Sequence, residues 1–175
     1  MTRKYHSPKE YQDAAKSPET PASELALLAK SEYNFVRLAV AQNPNVTSEI
    51  LASLVTDNLN SWNEQEIARA LTQNEETLPE TLSLLAQKLI PVLDSGRDND
   101  LGLEAGIYLC NNPNTPFEAI EKIMASEKVS TLFRRKVASK SQRQDVLELL
   151  LTDRSEAVRK RAANNFESLR QSATS

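Results

Sequence analysis

The sequence predicts an all-α solenoid of about six short two-helix repeats, and three observations carry that expectation. A phrase recurs along the chain: a small residue, an Asn-Pro-like turn, then a Thr-Pro-like helix start. Apolar residues follow each copy at i, i+3 and i+4, the spacing of one buried helical face. Glycine appears only 3 times in 175 residues, which argues against glycine-rich phosphate loops, tight β-hairpins and doubly wound α/β units.

The phrase reads Ala15-Lys16-Ser17-Pro18-Glu19-Thr20-Pro21 in its first copy and Ala41-Gln42-Asn43-Pro44-Asn45-Val46-Thr47 in its second. A looser copy is Thr72-Gln73-Asn74-Glu75-Glu76-Thr77, and the clearest is Cys110-Asn111-Asn112-Pro113-Asn114-Thr115-Pro116. Degenerate copies begin at Ala138 and Ala163. Successive copies start 26, 31, 38, 28 and 25 residues apart, a period near twenty-five with insertions in the second and third repeats. The repeats fall at 14–38, 39–69, 70–108, 109–136 and 137–161, with 162–175 as a partial cap. Residues 1–13 read as an N-terminal cap or a flexible lead, and Gln171 to Ser175 as disordered.

Within each repeat the Thr or Ser of the phrase is an expected N-cap, with proline early in the helix where no amide donor is lost. Thr77 with Glu80, Thr115 with Glu118 and Ser61 with Glu64 have capping-box spacing. The first helices carry the stripes Leu25, Leu28, Ala29; Leu51, Leu54, Val55; Leu82, Leu85, Ala86; Ile120, Ile123, Met124; and Leu147, Leu150, Leu151. Second segments run Val36–Ala41, Ile67–Leu71, Phe133–Ala138 and Val158–Ala163, short helices whose alanines allow close packing. No single repeat can bury its own stripe, whereas stacked neighbours can. The insertions are Asn58–Asn63, containing Trp62, and Gln87–Tyr108, where Pro91 stops a helix before the polar loop Asp94–Asp100. Such insertions map to edges that often carry function.

The string Asn-Pro-x-Thr-Pro, a Leu-x-x-Leu helix, then Val-Arg-x-x-Val-Ala resembles the variant leucine-rich repeat proteins, relatives in architecture of the HEAT-like helical repeats. The resemblance spans roughly Ala14 to Asn165 and bears on fold more than on activity. It implies a right-handed superhelix in which the second helix of each repeat is short or 3-10. A member of that family holds an iron–sulfur cluster on an N-terminal cysteine cluster. This chain has only Cys110, so no cofactor is carried over.

One cysteine and one histidine exclude a disulfide framework and a Cys/His zinc site. No apolar run is long enough to span a bilayer, and the segment Met1–Pro8 lacks the apolar core of a signal peptide. The expected location is cytoplasmic, without a membrane partner. His6 and Cys110 sit in no catalytic arrangement. In the stretch Asp98–Glu104 the glycine stands one place too early for a calcium loop.

Arg37, Arg134 and Arg159 hold one repeat position, where Ala68 and Gly106 stand in the insertion-bearing repeats. They form either a basic row that grips a carboxylate or phosphate, or a structural set bonded within the scaffold. Asn43, Asn74, Asn112 and Asn165 also recur and read as structural turn residues. Trp62 is either a rim anchor for a partner or a cover for the insertion's own apolar cluster.

The net charge of −3 conceals a split. Residues 126–175 hold eleven Lys or Arg against six Asp or Glu, a net +5, so the remainder carries −8. Arg37, Arg134, Arg135, Arg159, Lys160, Arg161 and Trp62 are therefore the candidate partner-binding residues. The function expected is a non-enzymatic protein–protein interaction scaffold, its oligomeric state left open. An alternative is nucleic-acid binding by the basic C-terminal repeats, and behind it a HEAT-like enzyme such as a pigment lyase.

Overall fold

A computed structural model describes residues 5–94 and 100–172. Among the described residues the chain is all-helical, with eleven α-helices, one 3-10 turn and no strand. The helices are α1 Pro8–Lys16, α2 Ala22–Leu28, α3 Asn34–Ala41, α4 Ser48–Ser53, α5 Trp62–Gln73 and α6 Pro79–Leu89. After the 3-10 turn Ile90–Val92 come α7 Leu101–Asn111, α8 Phe117–Ala125, α9 Thr131–Lys140, α10 Gln144–Leu150 and α11 Glu156–Ser172. None is long and apolar enough to cross a membrane.

Contacts between helices fall into two series. One series includes the helices that carry the second segments, with α1 on α3, α3 on α5, α5 on α7, α7 on α9 and α9 on α11. The helices that follow the Thr-Pro phrases include a second series, α6 on α8 and α8 on α10. The core lies between the series. Leu25, Leu51, Leu82, Leu85, Ile120, Ile123 and Leu147 are buried from one side and Val36, Leu71, Leu109, Phe133, Val137 and Val158 from the other. Each such leucine contributes about 1.5–3 kcal/mol by leaving water.

The expectation that the second helix of each repeat is short or 3-10 is not met. These helices are α-helical and 8 to 17 residues long, and the 3-10 turn instead ends the first helix of the third repeat. The reason is local. No proline interrupts these segments, and Ser61 and Ser130 cap α5 and α9 by accepting from Glu64 N and Phe133 N. The Ser61–Glu64 capping box forms as its spacing predicts.

Thr77 and Thr115 correct the other two. Neither hydroxyl caps the helix that follows: α6 and α8 start from Leu78 and Pro116, without a side-chain cap. Each donates backward instead, Thr77 Oγ1 to Leu71 O at 2.7 Å and Thr115 Oγ1 to Leu109 O at 2.6 Å. Thr20 does the same to Ala14 O. All three are buried, so the orphan carbonyls at the preceding helix end are the nearest acceptors.

α1 packs on α3, and α11 continues through Gln171 to Ser172, helical where disorder is expected. Residues 95–99 of the polar loop, including Asp98 and Asn99, and residues 173–175 lie outside the described residues. Gly106 of α7 sits where the arginine row would pass. A Cβ there would meet Phe133 Cε2 at 2.7 Å and Leu93 Cδ2 at 2.8 Å. A side chain at that position therefore requires the Phe133 ring and the Leu93 side chain to shift.

Candidate functional site

The recurring asparagines tie each repeat to the one before. Asn43 Nδ2 donates to Ala15 O and Ser17 O, both at 2.8 Å. Asn74 donates to Ala41 O, Asn112 to Thr72 O and Asn74 O, and Asn165 to Ala138 O and Ser141 O. The asparagine amide thus satisfies carbonyls freed at the end of the neighbouring helix. Asn45 and Asn114 repeat the device two residues on, reaching Thr20 O and Thr77 O. In the fifth repeat Ser141 stands in the asparagine's place, and Arg143 Nη1 takes over with bonds to Asn112 O at 3.1 Å and Thr115 O at 2.8 Å. Asp145 accepts from the same guanidinium, a bond that holds its carboxyl below the usual carboxylate range.

The repeated arginines are also used internally. Arg37 Nη1 donates to Ser31 O at 2.7 Å, and its Nη2 donates to Asn34 Oδ1. Arg159 Nη1 donates to Asp153 O at 2.6 Å. Arg134 is buried, with Nη1 on Val129 O at 2.6 Å and Nε on Asp153 Oδ2 at 2.8 Å. Each guanidinium folds back on the loop that precedes its own helix, and Asp153 joins two of the three.

Arg135, Lys160 and Arg161 behave differently. They project from α9 and α11 into one open groove of about 600 Å³, lined also by Ser139, Ala157, Asn164, Asn165 and Ser168. Helical spacing places them there: Arg135 and Ser139 are one turn apart on α9, and Lys160, Arg161, Asn164 and Ser168 share a face of α11. All three cations are exposed. Arg161 Nη1 reaches across to Ser139 Oγ at 3.3 Å. The side chains of Arg135 and Lys160 have no hydrogen bond or ion pair among the described residues. No aspartate or glutamate lines the groove. Glu156 and Glu167 of α11 stand outside the lining.

Trp62, 63% exposed at the start of α5, is not part of this groove, and Leu59 rather than Trp62 fills the interior beneath the insertion. A neighbouring groove between α7 and α9 holds Glu104, Tyr108 and Lys140. At the N-terminal end the rings of Tyr5, Tyr11, Tyr33 and Phe35 form a continuous file, with centroids 5.0, 6.4 and 5.4 Å apart. Cys110 is fully buried, and burial pushes its thiol up to about 12, so it stays protonated at neutral pH and is no nucleophile. No group of His, Cys, Asp and Glu among the described residues can hold a metal ion.

Charge alone marks Arg135, Lys160 and Arg161 in the sequence, but not the polar residues between them. The signal was available in the i, i+4 spacing of Lys160, Asn164 and Ser168. What it lacked was the pairing of α9 with α11. Comparison of the chain with family models, with curated proteins and with solved structures gives no match.

Proposed function

We propose that the chain is a non-enzymatic scaffold that binds another protein, an acidic segment of which lies in the α9–α11 groove. One observation carries the reading: three exposed cations from two helices converge on a groove that no carboxylate lines. Complementary charge of that kind steers association and fixes register more than it adds raw affinity. The scaffold we propose is a right-handed α-solenoid of the variant leucine-rich repeat type. The two contact series and the asparagine bridges between repeats support it. A cytoplasmic location belongs to the same reading.

The test is fluorescence anisotropy with a glutamate-rich peptide, comparing the wild type with the triple variant R135E/K160E/R161E. Binding that weakens with salt and vanishes in the triple variant supports the reading. Absence of peptide binding, alongside tight binding of an RNA or DNA oligonucleotide, overturns it. The nucleic-acid alternative draws on Tyr108, a residue 38% exposed that lines a groove with Lys140. Glu104 in that same groove opposes a phosphate backbone.

A further inference from the structure

We infer that the α9–α11 groove is a phosphate-recognition site, and that its ligand is a phosphorylated serine or threonine within the acidic segment of the protein partner. This rests on the scaffold reading above and narrows it from acidic chemistry in general to a phosphomonoester.

The groove is rich in donors. Arg135, Lys160 and Arg161 supply charged N–H groups, Asn164 a neutral amide N–H and Ser168 a hydroxyl, while the Ser139 hydroxyl donates to Arg135 O and accepts from Arg161. The 3.3 Å contact of Arg161 Nη1 with Ser139 Oγ shows that the two walls come within hydrogen-bonding reach of each other. Arg135 lies one turn from Ser139 on the same face. An anion that displaces the weak Arg161–Ser139 contact therefore meets a guanidinium from each wall and the Lys160 ammonium together. A glutamate offers two oxygens and one charge to these three cations. A phosphomonoester offers three oxygens and a charge of about −2, so it satisfies more of the donors and neutralises more of the charge. Guanidinium groups bind such oxygens bidentately.

The extent of the basic surface favours one phosphate on a protein over the repeated phosphates of a nucleic acid. No aromatic side chain lines the groove for base stacking. The next groove along the row contains Glu104, and the chain outside residues 126–175 carries a net −8. A strand laid along the row would run from cations into repulsion.

The experiment uses the full chain and one peptide in three forms, with serine, glutamate or phosphoserine at the same position. The phosphoserine form is expected to bind about tenfold tighter than either other form, the worth of one charge-assisted hydrogen bond. That margin is expected to disappear in Arg135→Gln and in Arg161→Gln, and to persist in Lys128→Gln, an exposed site outside the groove. Inorganic phosphate is expected to compete with the peptide and to move the guanidinium NMR signals of Arg135 and Arg161, whereas acetate leaves them in place. Equal affinity for the glutamate and phosphoserine forms overturns phosphate recognition while leaving the scaffold reading standing. Failure of all three peptides while a short RNA binds overturns both.

Discussion

Replacing Asp153 by alanine isolates the strongest internal use of the arginine row. The Arg134 and Asp153 side chains are only 2% and 5% exposed, and Nε meets Oδ2 at 2.8 Å. Truncation leaves the guanidinium buried with Val129 O and a 3.4 Å contact to Thr131 Oγ1 as its remaining partners. It also removes the Oδ1 that accepts from Ser155 N at 2.7 Å. Breaking a buried pair from one side costs about 3–5 kcal/mol. For a domain of this size that corresponds to a fall in Tm of roughly 6–20 °C. Removing the charge from both sides is a different perturbation. Arg134→Met with Asp153→Asn keeps the volume and the Ser155 acceptor and leaves no buried charge, so its cost is expected to stay below about 2 kcal/mol. Urea titration followed by circular dichroism measures both, and equal denaturant slopes confirm that the same surface is exposed on unfolding. A loss under about 1 kcal/mol for Asp153→Ala, or a double variant as unstable as the single, refutes the claim that this arginine serves the scaffold.

Three further outcomes follow from other contacts. Asn112→Ala removes two donations to Thr72 O and Asn74 O and the acceptor of Asn114 N, so urea unfolding should show a loss of about 2–4 kcal/mol. Asn74→Ala, at a less buried site whose amide nitrogen bonds one carbonyl, should lose less. Gly106→Ala should destabilise by about 1–3 kcal/mol through overpacking against Phe133 and Leu93, although alanine is the better helix former by about 1 kcal/mol; a stabilised variant in a thermal melt counts against the close approach of α7 and α9. Cys110 should resist a thiol-specific reagent at pH 8 until the chain unfolds. Because burial raises its folded pKa to about 12, above the value of about 8.5 for a free thiol, the unfolded chain releases its proton first. Stability should therefore decline as pH rises from about 9 towards 12, and Cys110→Ala should remove that part of the decline.

The helical stripes were legible because burial imposes a period that survives in one dimension. Leu25, Leu28, Leu82, Leu85, Ile120 and Ile123 are buried where the spacing places them. Side-chain direction was not legible. The spacing of Thr77 to Glu80 fits a capping box equally well whether the hydroxyl points forward or back. The choice is made by carbonyls at the end of the preceding helix, which the chain reaches only by turning. Arg143 was hidden for a related reason. It restores across repeats what Ser141 lost, from a position two residues away, so the fifth copy looks degenerate while its link to the fourth is intact. The groove depends on α9 lying beside α11, a contact between segments separated by a whole helix.

These arginines support a rule for reading such a chain. A residue that recurs at one repeat position faces the same surroundings in every copy, and what recurs in those surroundings is the scaffold itself. Arg37, Arg134 and Arg159 obey this, each bonded to the loop before its own helix. The asparagines obey it too. Under the proposed function a partner meets only part of the chain, so its contacts need not recur. Arg135, Lys160 and Arg161 meet that condition: they neighbour the repeated arginines in sequence, belong to one end of the chain, and turn away from the core into a shared groove. The surface that distinguishes the protein should therefore be sought one or two residues beside the repeated arginine. Substitutions within the signature are expected to register as lost stability, and those beside it as lost binding.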